Sequence, residues 1–545
     1  MSFDINLIRK IHLMNREAHE NARLYFHSSP MAVSESSIVL PGKKKFNFKI
    51  CYDIKDLFVI GANTHSSLLM TGGTDTGKTT LAKLMMNSLF GEEDKGWHRI
   101  DVNTDFGKDV YTDVDFGVIA DGKKMSEGFY RAAPYLSLPG LIADEMNRGL
   151  AKMVNILLHV FEKDISMPDG TRAKIGVKVN GDNGENYQFQ VAAINEGDEY
   201  AGTFEIDKAL RRRTIMEIPM DLLSLTPYDR YLIKSQGQRH IPLINNNSHL
   251  EDILDIYRHI KDIPVHPAAE MFIAYLEAFD FCKNSLSGEK GGVTKRAGSV
   301  RHICAQPVGG MASRDDSEFE SVMSSENNGY PAAGCEFLKA FSNELCPYIT
   351  GLTPGISENL LIVARGFALL RGTKFAEMAA GFLEDKPEIP LSYSIPDFSL
   401  FQKALSQYAG TDSSKEDIAK KSAEKYFSNL EVEVEDIESA LGFVAYSKIG
   451  ISHPWVIKHY QGNKLEAIKN FSKEAKLKFM EGIAREDFAD MDRLLRGELS
   501  GEEIREMEHY CARENPWLMR VILPYIQQRK MPEQASMEKM EKFYR

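Results

Sequence analysis

An eight-residue segment from Gly72 to Thr79 combines glycines, a lysine and a threonine in an order that suits phosphate binding. Its sequence, GGTDTGKT, matches the pattern G-x-x-x-x-G-K-[ST]. Glycines let backbone N–H groups wrap an anion. Lys78 would reach the β- and γ-phosphates and the Thr79 hydroxyl one Mg²⁺ position; a chance glycine-rich turn is the alternative. The predicted nucleotide site comprises Gly72, Gly73, Thr74, Asp75, Thr76, Gly77, Lys78, Thr79 and Thr80.

Two carboxylates end an apolar segment further along the chain, where LIADE closes with Asp144 and Glu145. Asp144 is expected to hold Mg²⁺, and Glu145 to orient and deprotonate the attacking water. An Asp-Glu pair is a weak signal by itself, because any strand can end in a charged turn. Downstream of the phosphate segment, with a helix and a strand between, it predicts hydrolysis of a nucleoside triphosphate.

Alternating strands and helices must position these residues. The segment before the glycines is a short apolar run typical of a buried strand, and the segment after Thr79 has apolar residues at helical spacing. Further strands are predicted in HRIDVNT, LPGLIADE, FQVAAIN and TIMEIPMD, and hairpins within residues 165–189. This alternation over residues 60–220 indicates an α/β domain with a mainly parallel sheet. After Pro219 the pattern is helical.

Four segments in order resemble the AAA+ ATPases, and among them the MoxR-like and McrB-like groups with a helix-2 insert. They are the phosphate segment, DEMNRG, VAAIN and ALRRRT. The resemblance implies a P-loop AAA+ domain with a parallel five-stranded sheet flanked by helices, then an α-helical lid. The charged helical pattern after Pro454 predicts a helical C-terminal extension. The resemblance also implies ATP and Mg²⁺ as cofactors, and Asn195 as the residue that positions the water. The match is close over residues 60–225, looser over 226–455 and absent for 1–50 and 456–545.

An arginine triplet ends the helix predicted before TIMEIPMD. This segment resembles the corresponding segment of AAA+ ATPases. In the rings that those proteins form, an arginine at this position enters the neighbouring subunit's site and offsets the charge of the γ-phosphate. Arg212 and Arg213 are favoured over Arg211 for that role. Arg148 is a weaker candidate, either for phosphate contact or for capping the following helix. The alternative for the triplet is a solvated basic helix end.

Two positions depart from the family pattern. Asp75 stands where the phosphate loop usually has glycine, and Gly355 stands in TPG where the lid motif usually has arginine. A carboxylate beside phosphates is unfavourable unless it points away from them. The missing lid arginine would alter the coupling of hydrolysis to the lid unless Arg365 or another arginine replaces it. Both departures bear on turnover more than on fold.

The length of 545 residues corresponds to about three or four ordinary domains. The motifs attribute the extra length to elaboration of one ATPase module. The predicted parts are an N-terminal helical extension at 1–50, an AAA+ α/β core at 51–225, a helical lid at 226–455 with polar insertions at about 284–350 and 375–430, and a helical C-terminal module at 456–545.

Composition restricts the class of protein. Lys and Arg total 66 against 78 Asp and Glu, and the net charge of -12 argues against a surface that binds nucleic acid or anionic membrane throughout. Six cysteines without a Cys-x-x-Cys pair favour a reducing compartment over disulfides or zinc. No apolar run approaches about 18 residues, so no membrane span is expected. These features together predict a cytoplasmic protein.

The leading hypothesis is a hexameric, Mg-ATP-dependent AAA+ ATPase that remodels a protein client as a chaperone does. The MoxR-like resemblance implies that a partner with a von Willebrand A fold connects it to the client. The first alternative is a McrB-like motor or defence component that acts on nucleic acid. McrB-like proteins are associated with GTP, and the acidic net charge counts against this alternative. A nucleotide-gated scaffold with little turnover is the second, and it rests on Asp75 and Gly355.

Overall fold

The computed structural model describes an α/β core, the helices around it and a second helical unit. The described residues are 5–22, 31–39, 45–74, 76–102, 113–114, 130–131, 133–146, 157–162, 164–166, 172–179, 185–195, 208–222, 231, 248–279, 349–380, 415–451, 453–483, 493–494 and 498–514. Among the helices in these ranges, none combines the length and the apolar character that crossing a membrane requires.

The N-terminal segment forms a helix and a β-hairpin. Its elements are α1 (Ile5–Asn21), β1 (Ala32–Val39), β2 (Lys45–Tyr52) and, directly after the hairpin, α2 (Ile54–Thr64). The sequence predicted only a helix and a polar stretch over residues 1–50. The difference arises because β1 buries serines where an apolar alternation would have marked a strand. Ser34 and Ser36 are both buried, and their hydroxyls hydrogen-bond to Ser439 and Tyr426 at 3.1 and 2.8 Å.

A five-stranded parallel sheet forms the core of the α/β domain. Its strands lie in the order β13-β3-β12-β7-β4, and each neighbouring pair is parallel. The elements of this part are, in chain order, β3 (Leu68–Thr71), α3 (Lys78–Phe90), β4 (Trp97–Asp101), β5 (Asp113–Val114), β6 (Tyr130–Arg131), β7 (Gly140–Asp144), β8 (Asp164–Ser166), β9 (Arg172–Lys174), β10 (Val177–Lys178), β11 (Asn186–Tyr187), β12 (Phe189–Ala193), α4 (Lys208–Arg213) and β13 (Met216–Pro219).

The burial of the sheet explains its sequence. Every residue of β3, β7, β12 and β13 is buried, as expected for parallel strands covered on both faces and written as continuous apolar runs. The expected parallel five-stranded sheet is therefore confirmed. Strands β8 and β9 pair antiparallel, as do β10 and β11, in the region where the sequence predicted hairpins.

The chain divides into two compact units that alternate along the sequence. The first comprises residues 1–264 and 359–444, and the second comprises 265–358 and 445–545. The segment 226–455, predicted as one helical lid, is shared between them. The remaining helices are α5 (Leu250–Ile260), α6 (Pro267–Ala278), α7 (Pro354–Ala380), α8 (Lys415–Ser428), α9 (Val434–Val444), α10 (His453–Tyr460), α11 (Lys464–Ile483) and α12 (Gly501–Glu514).

The second unit has an aromatic core between α6 and α11. The ring centroids of Phe272 and Phe479 lie 5.3 Å apart, and those of Phe279 and Phe471 5.2 Å apart. Tyr275 also packs against Phe479, at 5.5 Å. Such contacts are favourable beyond the area they bury. Helix α11, which lies in the predicted C-terminal module, is thus part of this unit's core.

Both described ends of the predicted insertion at 375–430 are helical and contribute to the first unit's core. Phe375, near the end of α7, stacks on Phe48 of the hairpin at 4.8 Å. Phe427, near the end of α8, is buried. The stretch between these helices, and almost all of the other predicted insertion, lies outside the described residues.

Candidate functional site

The phosphate loop connects β3 to α3. Gly72 and Gly77 have φ angles of 145° and 81°, values that residues with a Cβ rarely adopt. Helix α3 begins at Lys78, with Gly77 as its N-cap. The glycines of the motif thus allow a sharp strand-to-helix turn, and the N–H groups of the first helical turn follow directly on the loop, where an anion is favoured.

Lys78 is held against the loop backbone. Its buried side chain directs Nζ to the carbonyl oxygens of Gly72 and Gly73 at 2.9 and 2.6 Å, and to Thr76 Oγ1 at 3.1 Å. These acceptors keep an ammonium group inside the loop that the sequence predicted as the phosphate site. A phosphate, being a stronger acceptor, would compete with the carbonyls for it.

Thr79 and Asp144 meet between α3 and the end of β7. The Thr79 hydroxyl lies 2.9 Å from Asp144 Oδ2 and 3.1 Å from Oδ1, and Asp144 is buried. A hydroxyl and a carboxylate supply the oxygen ligands that Mg²⁺ prefers. The residues therefore fit the ion that the motif implies, and the structure brings together the two that were predicted to hold it.

Glu145 follows Asp144 in an unusual backbone conformation. Its φ is 53°, in the left-handed region that is uncommon for residues other than glycine. Its N–H donates to Asp144 Oδ1 at 3.0 Å. A strained backbone of this kind is concentrated at functional sites. The geometry supports a specific role for the glutamate that the sequence predicted as the general base.

Asn195 lies on the same edge of the sheet. Strand β12 pairs with β3 on one side and with β7 on the other, and Asn195 is buried just beyond its carboxyl end. The Ile194 N–H bonds to the Met70 carbonyl at 3.0 Å, so the β12 pairing with β3 extends nearly to this residue. The register thus places Asn195 between the strand that precedes the phosphate loop and the strand that ends in Asp144.

Arg99 also belongs to this candidate site, although no motif in the sequence identified it. Its Nε lies 3.4 Å from Asp144 Oδ2 and 2.6 Å from Asp101 Oδ1. Partial burial alone would lower the pKa of Arg99, but Asp101 and Asp144 raise it, so the group stays a cation. The segment HRID was the only possible sequence signal for this role of Arg99. It lies in a strand that neighbours β7, and its Asp101 pairs in register with Asp144.

The arginine triplet separates into two paired residues and one exposed residue. Arg211 forms an ion pair with the buried Glu217, and Arg213 forms one with Glu162. Arg212 is exposed. The structure thus distinguishes two arginines that the sequence ranked together: Arg212 presents its side chain to solvent, and Arg213 is engaged within its own chain.

Asp221 is a second residue that the sequence did not identify. It follows β13, and its Oδ2 accepts a hydrogen bond of 2.7 Å from the Gly73 N–H in the phosphate loop. Thr74 and Thr80, both predicted at this loop, have exposed side chains. The predicted residues Asp75 and Arg148 lie outside the described residues.

Gly355, where the lid motif departs from the family pattern, is the second residue of α7. A Cβ added there would meet no atom of the described chain within 4 Å. Close packing therefore does not explain the glycine. Arg365, the arginine suggested as a replacement, is half-buried on the same helix.

Comparison with known proteins gives a limited result. No protein-family model and no curated protein matches the chain. A solved structure of a candidate ATPase from Cytophaga hutchinsonii ATCC 33406 is similar to it, with 17% sequence identity and a TM-score of 0.38 over 67% of this chain and 82% of that one. At this identity and score the likeness is weak. The features of this chain that bear on function are instead the phosphate loop, the Thr79–Asp144 pair and the sheet that positions them.

Proposed function

We propose that this chain is a Mg-ATP-dependent ATPase of the AAA+ type. The observation that carries the proposal is the convergence of Thr79 Oγ1 on the Asp144 carboxylate at 2.9 and 3.1 Å, directly after a glycine-rich loop that encloses Lys78. A glycine-rich turn that arose by chance would not be expected to combine a buried ammonium group with a hydroxyl–carboxylate pair. Phosphate and magnesium binding require this combination.

Each residue has a distinct role in the proposed reaction. Lys78 exchanges its hydrogen bonds to the loop carbonyls for contacts with the β- and γ-phosphates, and Thr79 and Asp144 hold the metal. Mg²⁺, when bound, neutralises the phosphate charge that develops during transfer. Glu145 accepts the proton of the attacking water, and Asn195 orients that water. These roles are consistent with the convergence of all five residues on the carboxyl edge of one parallel sheet, where ligands bind in open α/β folds.

The same proposal includes assembly into a ring, with six subunits as the expected number. The exposed Arg212 on α4 supports it, because a residue that acts in a neighbouring subunit's site must be available at the surface. We propose a protein as the client, remodelled in a chaperone-like way and reached through a von Willebrand A-type partner. The net charge of -12 favours such a client over a polyanion.

Phosphate release from ATP tests the enzymatic part. The wild-type chain should release phosphate only with Mg²⁺, and Lys78→Ala should lose both ATP binding and release. Glu145→Gln should keep binding and lose release, while Glu251→Gln, at an exposed glutamate of α5, should behave as wild type. Binding of ATP by Lys78→Ala as tight as by wild type would contradict the proposed site.

The other outcomes separate the remaining hypotheses. Electron microscopy of Glu145→Gln with Mg-ATP should reveal rings and their subunit number. Hydrolysis stimulated by a polynucleotide, with a steep salt dependence, would instead indicate a nucleic-acid motor, and a preference for GTP would fit it. ATP-dependent assembly of the wild type without phosphate release would indicate a scaffold.

A further inference from the structure

The phosphate loop contacts a carboxylate that the proposed hydrolysis does not use. Asp221 lies in the single helical turn Met220–Leu222 that follows β13. Its Oδ2 accepts the 2.7 Å hydrogen bond from the Gly73 N–H. A Cβ added to Gly72 would lie 3.0 Å from Asp221 Oδ1 and 3.1 Å from Cγ. The carboxylate therefore bonds to the loop and occupies the space that a side chain at residue 72 would need.

The register of the sheet produces this contact. Strands β13 and β3 are parallel neighbours, and Pro219 pairs with Thr71 at their carboxyl ends. Asp221 and Gly73 each lie two residues beyond that pair. Because the chain continues in the same direction beyond both strands, the second residue after β13 lies beside the start of the phosphate loop. The contact is thus anchored by strand pairing and does not depend on a long surface connection.

Asp221 and Lys78 hold one peptide group from opposite sides. The Gly72 carbonyl accepts from Lys78 Nζ at 2.9 Å, and the N–H of the same peptide, on Gly73, donates to Asp221. Hydrogen bonds in such a chain polarise one another. A peptide between two glycines has few conformational preferences of its own, so an ammonium group and a carboxylate at its ends define its orientation.

We propose that Asp221 is a positioning residue that keeps the Gly72–Gly73 peptide oriented when Lys78 turns from the loop carbonyls to a bound nucleotide. The nucleotide part of this inference rests on the proposed function. The carboxylate itself opposes the phosphate charge, so its hydrogen bond and its charge have opposite effects on affinity. Asp221→Ala removes both, whereas Asp221→Asn keeps an acceptor oxygen and removes only the charge.

Hydrogen exchange of the nucleotide-free protein tests the positioning directly. Asp221→Ala should accelerate exchange of the backbone amides in the phosphate loop, and Asp221→Asn should exchange close to the wild-type rate. Asp262→Ala, at an exposed aspartate just after α5, is the matched control and should leave the loop unchanged. Equal loop exchange in wild type and Asp221→Ala would overturn the proposal, whether or not the protein binds nucleotide.

Calorimetric titration with Mg-ATP and Mg-ADP supplies the second measurement. Asp221→Ala should bind both about fivefold to tenfold more weakly than Asp221→Asn, because the two variants lack the same charge and differ by one hydrogen bond. Asp221→Asn should bind as tightly as wild type or more tightly. Binding as weak in Asp221→Asn as in Asp221→Ala would overturn the positioning role. Absence of nucleotide binding by wild type would instead refute the proposed function, and the exchange measurement would still decide the role of Asp221.

Discussion

At the scale of single residues, Asp144 is shared by groups with competing requirements. Thr79 lies within 3.1 Å of its carboxylate, and the Arg99 guanidinium lies 3.4 Å from Oδ2. A cation at that distance lowers the affinity of a carboxylate for a second cation. Arg99 should therefore raise the Mg²⁺ concentration that the site needs.

Replacing Arg99 by glutamine removes this competition. We expect Arg99→Gln to reach half-maximal ATP binding at a Mg²⁺ concentration a few-fold below that of wild type, in a Mg²⁺ titration monitored by fluorescent nucleotide. Arg99→Lys keeps a positive charge and serves as the control, with a Mg²⁺ requirement closer to wild type. An unchanged or higher requirement in Arg99→Gln would show that the guanidinium does not compete with the metal.

Arg212 provides the second prediction at this scale. It is the exposed member of the triplet, so Arg212→Ala should abolish most hydrolysis while leaving ATP affinity and the fold intact. Removal of an arginine that contacts the transferred phosphate costs about 10³-fold or more in rate. Arg258→Ala, at an exposed arginine of α5, is the control. Hydrolysis should partly return when Arg212→Ala and Lys78→Ala subunits are mixed, and its failure to return would contradict action between subunits.

Most residues of the proposed site could be predicted from the sequence, but not all of them. Lys78, Thr79 and Asp144 belong to motifs whose spacing is local, so their types and order were sufficient. Arg99 and Asp221 reach the site because β4 and β13 have specific neighbours in the sheet. Strand order is a tertiary property, and no local pattern in either segment encodes it.

At the scale of elements, the β1–β2 hairpin depends on partners far away in sequence. Ser36 of β1 contacts Tyr426 of α8 and also Arg371 of α7, and Arg371 forms an ion pair with the buried Asp436 of α9 at 2.9 Å. A charged group can be buried only with such compensation. Local sequence could not predict the hairpin because its polar face is satisfied by helices more than 300 residues later.

Glu433, whose Oε1 lies 3.1 Å from Arg371 Nη1, makes the group of side chains around Arg371 sensitive to pH. Burial raises the pKa of Glu433 to about 7, although Arg371 acts in the opposite direction. Asp436 is similarly raised in pKa by burial. The folded protein therefore binds more protons than the unfolded chain between about pH 4.5 and 7, so the free energy of unfolding should decrease as pH rises through that interval and level off above it.

Urea unfolding at a series of pH values tests this dependence. Glu433→Gln should flatten the decrease between pH 5 and 7, and Glu424→Gln, at an exposed glutamate of α8, should leave it unchanged. Stability that rises from pH 5 to 7 in wild type and falls in Glu433→Gln would contradict the assignment of this pH dependence to Glu433.

Asp56 contributes in another pH interval. Burial opposes its ionisation, but Lys374 and His19 lower its pKa well below the ordinary value. The stabilisation that Asp56 provides is therefore lost only under acidic conditions.

At the scale of the whole molecule, the two compact units do not follow the order of the sequence. The chain passes from one to the other near residues 264, 358 and 444. The sequence predicted a helical C-terminal module at 456–545, because its alternating charges are typical of a solvated or partner-facing surface. The packing partners of the module's apolar residues are visible only in the three-dimensional structure, where Phe471 and Phe479 of α11 pack against α6.

Deleting residues 456–545 should therefore damage the second unit rather than detach a separate module. The deletion would expose Phe272, Tyr275 and Phe279, which are buried in the intact chain, and exposed aromatic clusters of this kind promote aggregation. We expect the truncated protein to bind a hydrophobic dye and to sediment as aggregates. Phe479→Leu keeps most of the apolar volume and should remain soluble, which separates loss of the helix from loss of one ring. A truncated chain that stays soluble, does not bind the dye and yields the same protease-resistant fragments as the intact protein gives before residue 456 would show that residues 456–545 are not part of the second unit's core.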